Sequence, residues 1–134
     1  MSLCDSPHLL KLYDVYSNKD LKVMIMEYCN GKTLQQEINE KVTLEEAEAM
    51  MISKHIINGL MEMHKHKIVH RDLKAENIMS HNGIYKIIDF GFSKKLAITQ
   101  EGNEVKGTSL GTITTMAPEI MNHKPYGVKV TPLR

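Results

Sequence analysis

The chain has 134 residues, the usual size of one domain, so we expect a single hydrophobic core. Its 17 basic and 16 acidic residues give a formal net charge of +1, which argues against an extended surface for nucleic acid or an anionic membrane. An apolar fraction of 42% and a charged fraction of 25% indicate a soluble globular protein rather than a disordered chain.

The cysteines and the N-terminal residues predict an intracellular location. Cys4 and Cys29 form no CxxC pattern, so we expect neither a disulfide framework nor a zinc site. The N-terminal residues lack the pattern of a signal peptide, and the longest aliphatic run, Val23 to Met26, is far shorter than a membrane span. We therefore predict a cytoplasmic protein, with the nucleus as the alternative.

The first predicted element is an antiparallel hairpin. Residues 10–16 and 21–28 are largely apolar or aromatic, and the turn-forming residues 17–20 separate them. In the second run, Leu21, Val23 and Ile25 alternate with residues that would face the other side, which is the period of a strand.

Two helices are predicted after the break at Asn30-Gly31. The first is a short polar helix over residues 34–40. The second is a long helix over residues 44–66, for which Thr43 and Glu46 have the spacing of a capping box. Apolar residues occupy more than one stripe of this long helix, so we expect it to be buried on several sides.

A second hairpin is predicted between residues 78 and 90. Asn82-Gly83 lies between two apolar runs, and both residues tolerate the positive φ of a type I′ turn. Residues 70–77, His-Arg-Asp-Leu-Lys-Ala-Glu-Asn, therefore form a loop between the long helix and this hairpin. A rigid scaffold of this kind is a common support for functional loops. The polar connection that follows, residues 91–116, has the length of a functional or disordered segment.

Three motifs follow one another along the chain. They are the His70 to Asn77 octet, Asp89-Phe90-Gly91 and Ala117-Pro118-Glu119. Together they resemble the HRDLxxxN, DFG and APE set of the eukaryotic protein kinases. The resemblance covers residues 7–130 of a 1–134 partial domain, and residues 131–134 do not match. It implies an α+β, kinase-like fold that is partial: the last two strands of the small lobe, the hinge, and the first half of the mainly helical large lobe.

The resemblance implies a catalytic role for each polar residue of the octet. Asp72 would orient the substrate hydroxyl and accept its proton, and Lys74 would offset charge on the γ-phosphate of ATP. Asn77 and Asp89 would bind Mg²⁺, which prefers oxygen ligands. Thr112 matches the threonine that links the substrate loop to the catalytic residues in serine/threonine kinases.

The stretch from Met26 to Gly31 resembles the kinase hinge. Met26 would be the gatekeeper, and the backbone of Glu27 and Cys29 would bond the adenine edge, with Met79 beneath the ring. The resemblance also implies a hydrophobic stack of Leu12, Phe90 and His70.

The substrate implied by the resemblance is a protein with a serine or threonine hydroxyl, because Lys74 follows the serine/threonine pattern. The GTxxTMAPE segment is similar to that of autophagy-initiating kinases, although Ile113 and Thr115 depart from the usual GTPxYxAPE. Thr108 or Ser109 is a candidate phosphorylation site, with Arg71 as the phosphate receptor. The oligomeric state stays open.

Parts of the kinase pattern do not occur in this sequence. It contains no GxGxxG loop and no VAIK-type lysine, which in the family cover and neutralise the ATP phosphates. We therefore expect little or no activity from the 134-residue chain by itself. The alternatives are a non-catalytic decoy that binds a kinase's partners, and a chain that does not fold because its hairpin edges are open.

Overall fold

A computed structural model describes residues 5–95 and 121–122. The elements in chain order are β1 (Leu12–Ser17), β2 (Lys22–Met26), α1 (Leu34–Lys41), α2 (Glu46–Lys65), β3 (Ile68–Val69), a 3₁₀ turn (Ala75–Asn77), β4 (Ile78–His81), β5 (Ile84–Ile87) and β6 (Lys94–Lys95). The strands pair antiparallel as β1 with β2, β3 with β6, and β4 with β5. This mixture of helices and strands agrees with the predicted α+β class.

The first hairpin is confirmed, with strands shorter than predicted. Its turn is held by Asn18, whose side-chain oxygen accepts from the backbone N–H groups of Asp20 at 3.0 Å and Leu21 at 2.8 Å. A register shift follows Leu12, where the pairing with β2 is irregular. Every residue of β2 is exposed, so the hairpin contributes little to the core.

Both helices form, and their caps differ from the prediction. The capping box lies at α1, where Thr33 and Gln36 bond each other's backbone N–H groups at 3.2 Å and 2.9 Å. The capping box predicted at Thr43 is wrong, because α2 begins at Glu46 with Glu45 as a cap that makes no side-chain bond. Glu46 is thus the first helical residue, and a capping box needs its glutamate at the third.

One stripe of α2 is buried, and it contains Ile52, Ile56, Gly59 and Met63. Their spacing of four, three and four residues is that of one helix face. The expectation of burial on several sides is wrong for the described part of the chain, because four large apolar residues of the helix are exposed: Met50, Met51, Ile57 and Met61.

The buried stripe packs against β5 and the segment before β1. Ile87 is fully buried, its N–H donates to the His8 carbonyl at 3.0 Å, and its carbonyl accepts from Leu10 at 2.9 Å. Gly59 allows this close approach, since a Cβ there would lie 2.9 Å from the His8 carbonyl oxygen. The core therefore joins the long helix directly to the second hairpin.

The second hairpin has the predicted turn. Asn82 and Gly83 have φ of 50° and 80°, the positive values that a type I′ turn requires. Four residue pairs connect its strands, from Ile78 opposite Ile87 to His81 opposite Ile84. The short β3–β6 pair then brings residues 94–95 beside the start of the octet.

Candidate active site

The octet is a buried loop held between β3 and β4. His70, Asp72 and Leu73 are 1%, 4% and 5% exposed, which is unusual for two polar residues of a loop. Arg71 has a φ of 70°, a left-handed conformation that turns the chain between its neighbours. The 3₁₀ turn at Ala75–Asn77 then leads directly into β4.

Asp72 is the centre of this loop. The amide nitrogen of Asn77 donates to the backbone carbonyl of Asp72 at 2.9 Å and to its carboxylate at 3.2 Å. The ammonium of Lys74 lies 3.0 Å from the same carboxylate oxygen, Oδ2. The structure thus brings together three of the predicted catalytic residues, and a buried carboxylate is compensated by an amide and a cation.

His70 lies between the octet and the Asp-Phe-Gly motif. Its Nδ1 accepts from the backbone N–H of Asp72 at 3.3 Å, and its ring meets Phe90 edge-on with centroids 5.8 Å apart. Burial lowers the pKa of His70, and the charges of Asp89 and Asp72 partly offset that effect. The His70 ring therefore connects the octet to the Asp-Phe-Gly motif.

Asp89 differs from Asp72 in exposure. Its side chain is exposed, and one carboxylate oxygen accepts from the backbone N–H of Gly91 at 2.8 Å. The preceding residue, Ile88, donates its N–H to the carbonyl of Asn77 at 3.0 Å. This bond connects the end of the octet to the strand that leads to Asp89.

The predicted hinge residues follow β2. Met26 is the last residue of β2, and the others come directly after the strand. Glu27 and Cys29 are partly buried, and Tyr28 is 82% exposed. Burial, followed by the charge of Glu27, raises the pKa of the Cys29 thiol, so it is poorly suited to act as a nucleophile. An isolated bridge pairs Thr33, two residues beyond the predicted hinge, with Met79, the residue expected beneath the adenine.

Sequence reasoning missed one residue near the hinge, Lys86 in β5. It is 7% exposed, and its ammonium contacts both carboxylate oxygens of Glu27, at 2.9 Å and 3.0 Å. The sequence did carry one local sign that Lys86 is buried: it lies between the apolar residues Tyr85 and Ile87 in a predicted strand.

Several predicted residues lie outside the described residues. These are Thr112, the candidate phosphorylation sites Thr108 and Ser109, and the Ala117-Pro118-Glu119 motif. Arg71, their expected phosphate receptor, donates its Nε–H to the carbonyl of Phe92 at 2.6 Å. Of the predicted stack of Leu12, Phe90 and His70, the structure shows the ring contact between His70 and Phe90. Leu12 is partly buried.

The described residues contain neither a metal-binding cluster nor a membrane-spanning helix. Across residues 5–95 and 121–122, no cluster of three or more His, Cys, Asp or Glu side chains has the arrangement of a metal site. In the same residues no helix is both long and apolar enough to span a membrane.

A family model for the protein kinase domain matches residues 1–131. The chain belongs to the protein kinase family. The match confirms the predicted family and the partial kinase-like fold, because the order hairpin, hinge, helices, catalytic loop and second hairpin is the order implied by the resemblance. The domain boundary near residue 130 and the tail at residues 131–134 stay predictions.

Curated relatives of this segment are named as protein kinases, and several of the names contain SNF1-like. It is 40% identical over 127 residues to the carbon catabolite-derepressing protein kinase of Saccharomyces cerevisiae, covering 94% of this chain and 19% of that protein. It is 41% identical over 127 residues to the SNF1-like protein kinase ssp2 of Schizosaccharomyces pombe, covering 94% and 21%. For the human NUAK family SNF1-like kinase 1 the identity is 37%, covering 94% and 19%.

The chain therefore spans about a fifth of the length of the relatives that it matches. The resemblance to autophagy-initiating kinases stays a prediction.

Proposed function

We propose that the chain is part of a serine/threonine protein kinase, which transfers the γ-phosphoryl group of ATP to a serine or threonine hydroxyl of a protein. The observation that supports this most is the buried carboxylate of Asp72, whose Oδ2 is contacted by both Asn77 and Lys74. Phosphoryl transfer requires little covalent chemistry from the enzyme, and depends on positioned groups and charge stabilisation. A buried, fixed acid beside a cation meets both requirements.

Asp72 is the proposed catalytic acid–base residue. The substrate oxygen forms a bond to the γ-phosphorus, the bond from that phosphorus to the β–γ bridging oxygen breaks, and ADP leaves with that oxygen. The hydroxyl proton passes to Asp72. Lys74, 3.0 Å from Asp72, stabilises negative charge on the transferred group. Thr112 is proposed to connect the substrate loop to these residues.

Asn77 and Asp89 are the proposed Mg²⁺ ligands, and their chemistry fits the ion. The amide nitrogen of Asn77 faces Asp72, so the amide oxygen lies at the other end of the carboxamide and can bind a cation. Asp89 has an exposed carboxylate of which one oxygen accepts from Gly91. Both supply the hard oxygen atoms that Mg²⁺ prefers. When bound, the ion would neutralise charge on the phosphate oxygens.

The adenine is proposed to lie against the hinge. The backbone of Glu27 and Cys29 would bond its edge, Met26 would limit the depth of the pocket, and Met79 would contact the ring from below. The bridge between Thr33 and Met79 supports this arrangement, because it holds the chain just after the hinge next to β4.

The substrate, the partners and the location are proposed from the net charge and from the similar proteins. The relatives named as protein kinases support a protein substrate, and Lys74 favours serine or threonine as the acceptor residue. A net charge of +1 favours neither nucleic acid nor membrane as a partner, and we propose a cytoplasmic or nuclear location. Oligomeric state is not part of the proposal.

Mg-ATP binding to the 134-residue chain tests the nucleotide site. Thermal unfolding is measured with ATP plus Mg²⁺ and with ATP plus EDTA, for the wild type, Asp89→Asn, and the control Asp20→Asn in the exposed β1–β2 turn. A ligand at about 100 times its Kd stabilises the folded state by about 2.7 kcal/mol. We expect Mg-dependent stabilisation of the wild type and Asp20→Asn, and its loss in Asp89→Asn. Equal stabilisation of Asp89→Asn, or none of the wild type, contradicts the proposal.

Activity of the isolated chain is a separate question. We propose little or no turnover, because the sequence lacks a GxGxxG loop and a VAIK-type lysine to neutralise the ATP phosphates. Labelled ATP and a basic protein substrate test this proposal. Turnover that disappears in Asp72→Asn would refute the inactivity, while partner binding without Mg-ATP binding would favour a decoy.

A further inference from the structure

Lys86 is a buried cation whose position the proposed catalytic chemistry does not explain. Its side chain is 8% exposed, and burial of an ammonium is costly unless a partner compensates it. Glu27 compensates it with both carboxylate oxygens, although 59 residues separate the two in the chain. This contact joins the second residue of the predicted hinge, which runs from Met26 to Gly31, to β5.

Glu27 has further partners around the same carboxylate. Oε2 accepts from the backbone N–H of Lys11 at 3.2 Å, and Oε1 lies 3.8 Å from the His81 ring. Burial raises the pKa of Glu27, but the hydrogen bonds from Lys86 and Lys11 outweigh it and hold the pKa below its usual value. The carboxylate is therefore ionised at neutral pH, and it connects Lys11, the residue before β1, to both strands of the second hairpin.

The far end of the hinge is attached to the same hairpin. The Asn30 side chain donates to the Asn82 side chain at 2.8 Å and accepts from the Asn82 N–H at 3.2 Å. The N–H of Gly31 donates to the Ser80 carbonyl at 3.1 Å. Between these attachments, in the described part of the chain, Tyr28 and Cys29 make no backbone hydrogen bond.

The geometry points to Lys86 as a positioning residue: by holding the Glu27 side chain, it fixes the hinge backbone at residues 27–29 in place for the adenine edge. This inference rests on the proposed function. Lys86 touches no nucleotide in this scheme and acts through Glu27. Its effect should therefore be confined to adenine recognition, while Asp89 affects recognition of the metal-bound phosphates.

Calorimetric binding of adenosine and of Mg-ATP to the 134-residue chain separates these effects. In Lys86→Met both ligands should bind about tenfold more weakly. This factor corresponds to about 1.4 kcal/mol, the value of one hydrogen bond lost between the hinge backbone and the adenine. Asp89→Asn should weaken Mg-ATP alone. Lys86→Arg should recover part of the affinity, because it keeps the charge. The control is Lys32→Met, since Lys32 forms an exposed ion pair with Glu40 at 2.6 Å and should leave both affinities unchanged.

Amide hydrogen exchange without ligand separates positioning from a general loss of structure. In Lys86→Met faster exchange should be confined to residues 27–33, with α2 as protected as in the wild type. Unchanged adenosine affinity, or faster exchange throughout α2, overturns the inference. Glu27→Gln, which keeps the shape of the side chain, replaces Lys86→Met if the latter does not fold. A wild type that binds neither ligand refutes the proposed function and this inference with it.

Discussion

Gly31 and Ser80 are in close backbone contact. The Gly31 N–H donates to the Ser80 carbonyl at 3.1 Å, and a Cβ at Gly31 would lie 2.5 Å from that carbonyl oxygen and 2.1 Å from the Ser80 hydroxyl. Real Cβ atoms do not approach backbone this closely, so the contact requires glycine. The end of the hinge therefore sits against β4 because residue 31 has no side chain.

Gly31→Ala should separate the hinge from β4. We expect the free energy of unfolding to fall by about 1–3 kcal/mol, because the added methyl group has no space. Urea denaturation measures the loss. Gly83→Ala is the control for an added methyl group, since nothing lies within 4 Å there and only its positive φ is strained. A Gly31→Ala variant as stable as the wild type would show that the hinge can shift freely.

Asn77→Asp should destabilise the octet at neutral pH. The substitution removes the amide donor and places a second carboxylate where Asn77 now lies 3.2 Å from Asp72. Loss of the hydrogen bond to a buried carboxylate should cost about 1–3 kcal/mol, and like charges add to it. The decrease in the free energy of unfolding should become smaller at lower pH, because one of the two carboxylates takes up a proton. Urea unfolding at pH 7 and pH 5 measures both effects.

The matched control for this substitution is Asn58→Asp, at an exposed position of α2. It makes the same chemical change away from any buried carboxylate and should alter stability little. If Asn77→Asp and Asn58→Asp behave alike at pH 7, the contact between Asn77 and Asp72 does not hold the loop.

Met63 and Met61 test which face of α2 is buried. Met63 is 1% exposed and belongs to the core, whereas Met61 is 57% exposed. Met63→Ala should lower the free energy of unfolding by about 2–5 kcal/mol, because it removes buried apolar volume. Met61→Ala should change it by less than about 0.5 kcal/mol. Thermal or urea unfolding of both variants checks this, and equal losses would refute the single buried stripe.

His70 should make stability fall in mild acid. Burial holds its folded-state pKa below the usual imidazole value of 6.5, so the unfolded chain takes up the proton first as the pH falls. The contribution of neutral His70 is thus complete well above pH 6.5 and is lost as the pH drops through that value toward the folded pKa. His55 acts in the same direction, because its burial also lowers its pKa.

The pH profile of urea unfolding from pH 7.5 to 5 measures this effect. Each histidine contributes a slope of at most about 1.4 kcal/mol per pH unit. His70→Gln should flatten the profile relative to the wild type. An unchanged slope in His70→Gln would mean that the ring accepts a proton without cost.

Local signals in the sequence determined much of this protein. Asn82-Gly83 specified its turn because the required φ values depend on those two residues alone. The long helix was predicted over residues 44–66 and forms over Glu46–Lys65, although its cap was misplaced. The order of the three motifs indicated the family. Asp72, Lys74 and Asn77 could be assigned to one site because they lie within a single short loop.

Only the tertiary structure decided which residues meet across the chain. The cap of α2, its single buried face and the pairing of Glu27 with Lys86 depend on how separate elements pack. A lysine in a strand carries no local mark of its partner, and 59 residues separate it from Glu27. The physical reason is that backbone preferences are short-range, whereas desolvation and ion pairing depend on positions that exist only once the chain has folded.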